Sequence, residues 1–142
     1  MTDPILIARA ATFLTALPHS QALGMQLDAF GAGEATLSMA YDPRFVGDPV
    51  TGVIHGGAVS ALMDSACGAA VLAHPDAPAS TATIDLRMDY MRSATPGQRI
   101  VARATCYHMT RNVAFVRATA FDDDDSRPVA TATATWTVER AG

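Results

Sequence analysis

The sequence has 142 residues and contains no lysine, so arginine alone carries its positive charge apart from histidine. The formal net charge is −4, and the arginines form no cluster with aromatic side chains. Nucleic-acid binding relies on such clusters, because cations neutralise phosphates and aromatic rings stack on bases. The composition therefore argues against nucleic acid as a partner, although a few arginines at one rim suffice for the phosphates of a small ligand.

Long hydrophobic runs and targeting signals are also lacking. No stretch approaches the roughly 18 to 20 apolar residues of a membrane-spanning helix. The opening residues MTDPILIARA carry an acid and a proline where targeting peptides carry basic residues. We therefore expect a soluble, cytoplasmic protein with no membrane partner.

Metal-binding and disulfide patterns are missing as well. The two cysteines, Cys67 and Cys106, have neither metal-site spacing nor the number needed for a disulfide framework, which is consistent with a reducing compartment. The histidines at 19, 74 and 108 also lack the spacing of a metal site. We therefore expect no metal ion.

The first third of the chain alternates between helical and strand patterns. A helix is predicted in ILIARAATFLTAL, with Asp3 as its N-cap, Pro4 as its first residue and Pro18 beyond its end. Strands are predicted in MQLDAF and EATLSMAY. The following segment, residues 42–52, holds two prolines and two glycines and is predicted to be loop.

A second helix and four strands are predicted in the remainder. The helix runs from Gly57 to about Leu72 and is apolar on every side, which is typical of a helix that is covered all round. The strands are predicted in STATIDLRMDYMR, QRIVARATCYHM, NVAFVRATAF and VATATATWTV. In the first of these, apolar residues at even positions from 82 to 90 alternate with Thr83 and charged residues at odd positions, which predicts a two-faced strand. We expect water to solvate the aspartates of the turn DDDDSRP.

This order of elements predicts an α+β fold with one domain over residues 1–142. We expect an antiparallel sheet of about five to six strands wrapped around the long helix, with a short N-terminal helix beside it. Small inward residues on the last strand, such as Ala132 and Ala134, would let the helix lie close to the sheet. One feature of the helix needs explanation: Asp64 is the only charged residue in the stretch GVIHGGAVSALMDSACGAAV.

The segment HGGAVSALMDSA, after GDPVTGVI and before TIDLRMDYMR, resembles the hotdog-fold acyl-CoA thioesterases of the phenylacetic-acid-degradation type. The resemblance extends from residue 23 to residue 138. Its most specific feature is His55-Gly56-Gly57 with Asp64 nine residues after the histidine. It implies a sheet wrapped around one helix, homodimers that often pair into tetramers, and an acyl-CoA substrate. Coenzyme A would then be part of the substrate, and no separate cofactor is expected.

The residues themselves fit thioester hydrolysis. Gly56 and Gly57 open a helix, where backbone N–H groups lack intrahelical partners and the helix dipole favours a developing anion. Asp64 is surrounded by apolar residues, and lost hydration disfavours its charged form unless something donates to it, which suits a general base. Direct attack by Asp64 through an anhydride and activation of water by Asp64 both remain open.

Helix geometry predicts that the site is shared between two chains. Eight positions separate Gly56 from Asp64, which is about 12 Å along a helix, whereas reacting groups lie about 3 Å apart. If both act on one carbonyl, Asp64 belongs to one subunit and the glycine N–H to its partner.

Three further residues are catalytic candidates, each with a structural alternative. His55 would orient the thioester or the loop, or else be a structural histidine bonded to a backbone carbonyl. Asp48 occupies the nearest polar position to an Asn that the family commonly uses to hold the attacking water, but it would equally serve to cap the loop. Thr83 matches a Ser or Thr that family members place near the catalytic carboxylate, and a plain strand threonine is the alternative.

Candidates for binding coenzyme A and the acyl group are less specific. Arg92, Arg111 and Asn112 lie at predicted strand ends where the nucleotide could bind, and ordinary surface positions are the alternative. Acyl-pocket side chains are expected from the 42–52 loop, the long helix and the facing subunit, with Phe45, Val50, Met63 and Met88 as candidates. Aromatic, medium-chain and carrier-protein-bound acyl groups all remain open.

Two other functions compete with hydrolysis. A hydratase or dehydratase of the same fold would use a loop histidine and a Pro-Gly helix entry, whereas this chain has Gly-Gly after His55 and no histidine upstream in the loop. A non-catalytic acyl-CoA-binding module is the other alternative. Such sensors generally carry a DNA-binding segment, and one amphipathic helix is too little for that.

Overall fold

A computed structural model of the chain describes residues 4–142, so the predicted N-cap Asp3 lies outside the described residues. The helices are α1 (Pro4–Thr15), α2 (Pro18–Ala22) and α3 (Gly56–Leu72). The strands are β1 (Gln26–Gly31), β2 (Glu34–Met39), β3 (Val46–Asp48), β4 (Val53–Ile54), β5 (Thr83–Tyr90), β6 (Ile100–Met109), β7 (Val113–Phe121) and β8 (Ala130–Thr137).

Six of the strands form one antiparallel sheet in the order β1-β2-β6-β7-β8-β5, which confirms the predicted α+β fold. The helix α3 packs against the inner face of this sheet, chiefly on β2, β6 and β7. The strands β1 and β5 are the two edges, and their outer backbone groups have no neighbouring strand within the described residues. In that part of the chain, none of the helices combines the length and the hydropathy that crossing a bilayer requires.

Helix α3 is tightly covered by the sheet. Leu62, Met63 and Ala66 have no exposed surface. Gly68 is the closest approach: a Cβ atom there would lie 2.8 Å from Cη2 of Trp136, whose ring rests directly on the helix. The predicted burial of α3 is therefore confirmed for most of its surface, which is covered chiefly by β2, β6 and β7 and at Gly68 by the Trp136 ring of β8.

Two local predictions in the first half of the chain were incomplete. Pro18 ends α1 as predicted, but it is also the first residue of the five-residue helix α2, because proline is preorganised for a first helical turn. The 42–52 segment is not all loop. Pro43–Phe45 forms a 3-10 turn, and β3 pairs with β4 as a two-stranded ribbon.

The strand β5 contains a bulge that the alternation pattern does not reveal. Thr83 pairs with Trp136 and Asp85 pairs with Thr135, so Ile84 is the extra residue. A one-residue shift moves a side chain to the opposite face of a sheet. The prediction that Thr83 shares the face of the charged residues was therefore wrong. Thr83 lies on the inner face, and the side chain of Ile84 is 56% exposed.

The prediction that water solvates the aspartates of the acidic turn was also wrong at Asp122 and at Asp124, which pairs with Arg127 at 2.8 Å. Asp122 is buried, and both of its carboxylate oxygens accept hydrogen bonds of 2.7 Å from the Arg92 guanidinium. The backbone N–H and hydroxyl of Thr95 also donate to this carboxylate. Sequence periodicity cannot identify which of four consecutive acids will meet an arginine thirty residues away.

Candidate active site

Asp64 lies on the face of α3 that is only partly covered by the sheet. Its Oδ1 accepts a hydrogen bond of 2.8 Å from the hydroxyl of Thr83. The bulge at Ile84 makes this contact possible, because it places Thr83 on the inner face of β5. The predicted pairing of a strand hydroxyl with the carboxylate is thus present in the structure.

A cavity of about 660 Å³ reaches Asp64 and lies between α1 and α3; we call it the α1–α3 cavity. Its lining is mostly apolar, and Arg9 and Asp64 are its charged members. Apolar walls come from α1, β1 and α3, for example Phe13, Phe30 and Leu72. None of the predicted acyl-pocket residues lines it, and Met63 is fully buried in the core instead.

Trp136 lies next to both this cavity and the hydrogen-bonded pair of Asp64 and Thr83. It lines the cavity, pairs with Thr83 across the sheet and rests on Gly68, one helical turn after Asp64. Its indole Nε1 is buried and has no acceptor within the described residues. The sequence analysis did not select Trp136, although a glycine one turn after a helical acid was a usable sign of close packing there.

The entrance of α3 is organised by His55. Its ring Nδ1 accepts a 2.8 Å hydrogen bond from Gly57 N–H, and the backbone N–H of His55 donates to the Phe45 carbonyl. His55 is therefore the N-cap of the helix, a structural role that differs from the expected bond to a backbone carbonyl because the ring accepts a backbone N–H. Within the described part of the chain, nothing accepts a hydrogen bond from Gly56 N–H, so this donor is open to a ligand.

Tyr90 fixes the peptide group between Gly56 and Gly57, whose N–H is bonded to His55. Its hydroxyl donates a 2.6 Å hydrogen bond to the carbonyl of Gly56, and its ring lies 3.5 Å from where a Cβ of Gly56 would stand. The Gly56 carbonyl belongs to the peptide that carries Gly57 N–H. Sequence reasoning treated Tyr90 only as one residue of an alternating strand and missed this contact.

Asp48 folds the loop before α3. Its carboxylate accepts hydrogen bonds of 2.9 Å from Val50 N–H and from the Thr51 hydroxyl. These hydrogen bonds, the one from Val50 first, lower the pKa of Asp48 below its ordinary value. The capping alternative therefore has clear geometry, and contact between Asp48 and the attacking water stays a prediction.

The predicted coenzyme A ligands are spread over the molecule. The guanidinium of Arg92 is held by Asp122 and by the Arg127 carbonyl. Arg111 and Asn112 lie exposed in the turn between β6 and β7, where the Asn112 carbonyl accepts from Val138 N–H. Their role toward coenzyme A stays a prediction.

Cys67, the other reactive side-chain type near Asp64, is unsuited to act as a nucleophile. It has no exposed surface, and burial together with the nearby Asp64 charge raises the pKa of its thiol to about 12. It is thus a thiol at neutral pH and packs as a core residue. Across residues 4–142, no group of three His, Cys, Asp or Glu side chains is placed to hold a metal ion.

The structure combines a sheet wrapped around one helix with a carboxylate on that helix and the Gly56 N–H at its N-terminus. This combination defines a hotdog-fold enzyme of the thioesterase type. The family model described as the thioesterase superfamily matches residues 51–129, which is more than half of the sequence. The chain belongs to the thioesterase superfamily and is a hydrolase of that family.

Relatives of known name or structure support this assignment over nearly the whole chain. The medium/long-chain acyl-CoA thioesterase YigI of Escherichia coli is 28% identical over 139 residues, which cover 89% of this chain and 88% of YigI. A Pseudomonas aeruginosa protein of known structure is 38% identical, with a TM-score of 0.82 over 93% of this chain and 98% of that chain. A mutant of the phenylacetic acid degradation protein PaaI from Thermus thermophilus is 29% identical, with a TM-score of 0.75 over 88% of this chain and 100% of PaaI.

Proposed function

We propose that this protein hydrolyses acyl-CoA thioesters to the free acid and coenzyme A. The observation that carries the proposal is the hydrogen bond from Thr83 to Asp64 in the wall of an apolar cavity. A carboxylate beside apolar space provides a base next to a site for an acyl group. The name of YigI, a medium/long-chain acyl-CoA thioesterase, supports the same substrate class.

In the simplest mechanism, Asp64 takes a proton from water while the water oxygen attacks the thioester carbon. The carbon–sulfur bond then breaks, and the leaving thiolate takes up a proton to give coenzyme A. No strong general acid is required, because a thiol has a pKa of about 8.5 and leaves readily as a thiolate. Direct attack by Asp64, followed by hydrolysis of an anhydride, is the variant of this mechanism that remains open.

The donor for the developing oxyanion is Gly56 N–H in this proposal. Gly57 N–H is already bonded to His55, whereas Gly56 N–H is open. Eight helical positions still separate Gly56 from Asp64, about 12 Å, so the donor that serves Asp64 comes from the partner subunit. We accordingly propose a homodimer with two composite sites, and a further pairing of dimers into tetramers.

The exposed edge strand β5 supports such a dimer. Its backbone has no neighbour on one side within the described residues, and Ile84, Tyr90 and Met91 are each more than half exposed there. Free edges with apolar side chains favour pairing with another strand. Both cysteines are free thiols, which supports a reducing compartment such as the cytoplasm.

Release of free thiol from a panel of acyl-CoAs tests the proposed activity. We expect Asp64→Asn to lower kcat by about 10² to 10⁴, the usual contribution of a general base. Asp28→Asn, at an exposed position on β1, is the matched control and should keep wild-type rates. A wild-type protein that binds acyl-CoAs without releasing thiol, or that adds water to an enoyl-CoA instead, would contradict the proposal.

Mixed dimers test the shared site. Asp64→Asn and Gly56→Pro chains should each be inactive alone, since one lacks the base and the other the N–H donor. In a heterodimer, the Asp64 of one chain meets the intact Gly56 of the other, so random mixing should restore about a quarter of the wild-type rate. Mixtures that recover no activity would mean that each chain builds its site alone.

A further inference from the structure

We infer that the acyl chain of the substrate lies in the α1–α3 cavity and that helix α1 limits the length of the chain. This inference rests on the proposed thioesterase function and names the part of the molecule that selects the acyl group. Of the sources predicted from the sequence, the long helix contributes to this cavity, whereas the named candidates Phe45, Val50, Met63 and Met88 do not. The ligand that we assign to the α1–α3 cavity is an unbranched aliphatic acyl group of medium length.

The composition of the cavity wall fits an aliphatic chain. The carboxylate of Asp64 stands in the wall, so an acyl group whose carbonyl is at Asp64 enters the cavity directly. Most of the remaining lining is apolar. Phe13 of α1 is 61% exposed and Leu17, just beyond the end of α1, is 40% exposed, although both line the cavity. A hydrocarbon chain would remove this apolar surface from water, which is favourable.

The length of the cavity wall along α3 gives a measure of the ligand. Asp64, Gly68 and Leu72 are spaced by four residues and share one face of the helix. From Asp64 to Leu72 is eight positions, or about 12 Å. An extended hydrocarbon with bonds of about 1.5 Å advances about 1.3 Å per carbon in its zigzag, so roughly nine to ten carbons span this distance.

The two sides of the cavity differ in how easily their residues can be substituted. On the sheet side, the Trp136 ring is fixed against Gly68, where even one added methyl group would clash. On the other side, α1 is a surface helix that contributes Ala10 to the wall, while Ala8 is exposed and does not line the cavity. A larger side chain at Ala10, which is only partly buried, can therefore occupy part of the cavity while Asp64 and the sheet side keep their residues.

The first experiment measures kcat/KM for saturated acyl-CoAs from four to sixteen carbons. For the wild type, we expect a rise of up to about fourfold for each buried methylene, ending near ten carbons. Ala10→Leu should reduce the ratio of decanoyl- to butanoyl-CoA by about tenfold or more, since roughly two or three methylenes lose their place. The ratio for Ala8→Leu, the same change on the exposed face, should match the wild type.

The second experiment measures binding without turnover. Trp136 is the only tryptophan in the sequence, so its fluorescence reports on the cavity alone. Titration with S-decyl-CoA, a thioether that cannot be hydrolysed, should change the emission saturably and at lower concentration than S-butyl-CoA. Ala10→Leu should remove this preference, and Ala8→Leu should keep it.

The outcomes separate this inference from the proposed function. Asp64-dependent hydrolysis with equal chain-length profiles in Ala10→Leu, Ala8→Leu and the wild type would refute the placement of the acyl chain and leave the thioesterase activity intact. Tight, length-dependent binding of S-decyl-CoA without hydrolysis of any acyl-CoA would refute the activity and leave the placement intact.

Discussion

The hydroxyl of Thr83 donates to Oδ1 of Asp64 at 2.8 Å because β5 bulges at the next residue, Ile84. Regular alternation would place Thr83 on the outer face of the sheet. The bulge therefore brings a donor from an edge strand to the only acid of the long helix. With Oδ1 held in this way, Oδ2 is left to meet water or substrate.

Replacing Thr83 tests whether this hydrogen bond serves the reaction. Thr83→Val keeps the shape of the side chain and removes the donor. A hydrogen bond to a charged group contributes about 1.5 to 3 kcal/mol, so kcat should fall by about 10- to 100-fold, with little change in KM. Steady-state kinetics with thiol detection gives both constants.

Thr83→Ser is the matched control, since it keeps the hydroxyl and should retain most of the activity. If the valine and serine variants show the same kcat, the hydroxyl does not act through Asp64, and Thr83 is an ordinary strand residue.

Gly56 offers a way to delete a single backbone donor. Gly56→Pro removes the N–H at the first helical position, which proline tolerates well. His55 already has the extended φ and ψ, −57° and 133°, that a residue before proline adopts. Loss of one oxyanion donor should lower kcat by about 100- to 1,000-fold, measured as the rate of thiol release.

Gly56→Ala is the comparison, because it adds a Cβ at the same place and keeps the N–H. That Cβ would make ordinary contact, 3.5 Å, with the Tyr90 ring. Equal loss of activity in both variants would mean that side-chain space at residue 56 matters and the N–H does not.

Tyr90 is a positioning residue in this arrangement. Tyr90→Phe removes the hydrogen bond to the Gly56 carbonyl, which positions the start of α3. A neutral hydrogen bond contributes a net of about 0.5 to 1.5 kcal/mol. We therefore expect kcat to fall by about two- to tenfold. KM should stay unchanged, because the Tyr90 hydroxyl is not assigned to substrate binding. Tyr107→Phe, at a partly exposed tyrosine on β6, is the control. A lower melting temperature with unchanged kcat would show that Tyr90 has a structural role only.

The architecture was predictable because it depends on patterns that are local in the sequence. Alternation gave six strands of the sheet, and uninterrupted apolar character marked α3 as the covered helix. Asp64 was recognisable because it is the one charge in that helix, and His55 was recognisable from the same stretch. These features need no knowledge of which distant residues meet.

The features that were missed all depend on distant contacts or on register. A single extra residue, Ile84, reverses the face of Thr83, and alternation gives no sign of it. The cavity wall on α1 arises only when that helix packs beside β1. Asp122 differs from its acidic neighbours through its burial and its distant partners, Arg92 and Thr95. Pattern reasoning assigns such residues by their type, whereas their role is set by what they touch.

The ion pair between buried Asp122 and half-buried Arg92 makes stability depend on pH. Hydrogen bonds from Arg92, and then from Thr95 and Asp124 N–H, hold the pKa of Asp122 well below its ordinary value. In the unfolded chain, an aspartate titrates near 3.9. Below that pH, the unfolded state takes up a proton that the folded state resists, so stability is present above about pH 4 and is lost as pH falls toward the folded pKa.

Asp122→Asn tests this dependence, because it removes the charge and leaves the half-buried Arg92 guanidinium without a counterion. At pH 7, the free energy of unfolding should fall by about 1.5 to 3 kcal/mol, the range for a hydrogen bond to a charged group. The difference from the wild type should shrink at pH 3, where the wild type has begun to lose the same contribution. Urea unfolding at both pH values measures it, and Asp125→Asn, an exposed acid of the same turn, should change neither midpoint. A difference between Asp122→Asn and the wild type that is equal at both pH values would show that the charge of Asp122 does not stabilise the fold.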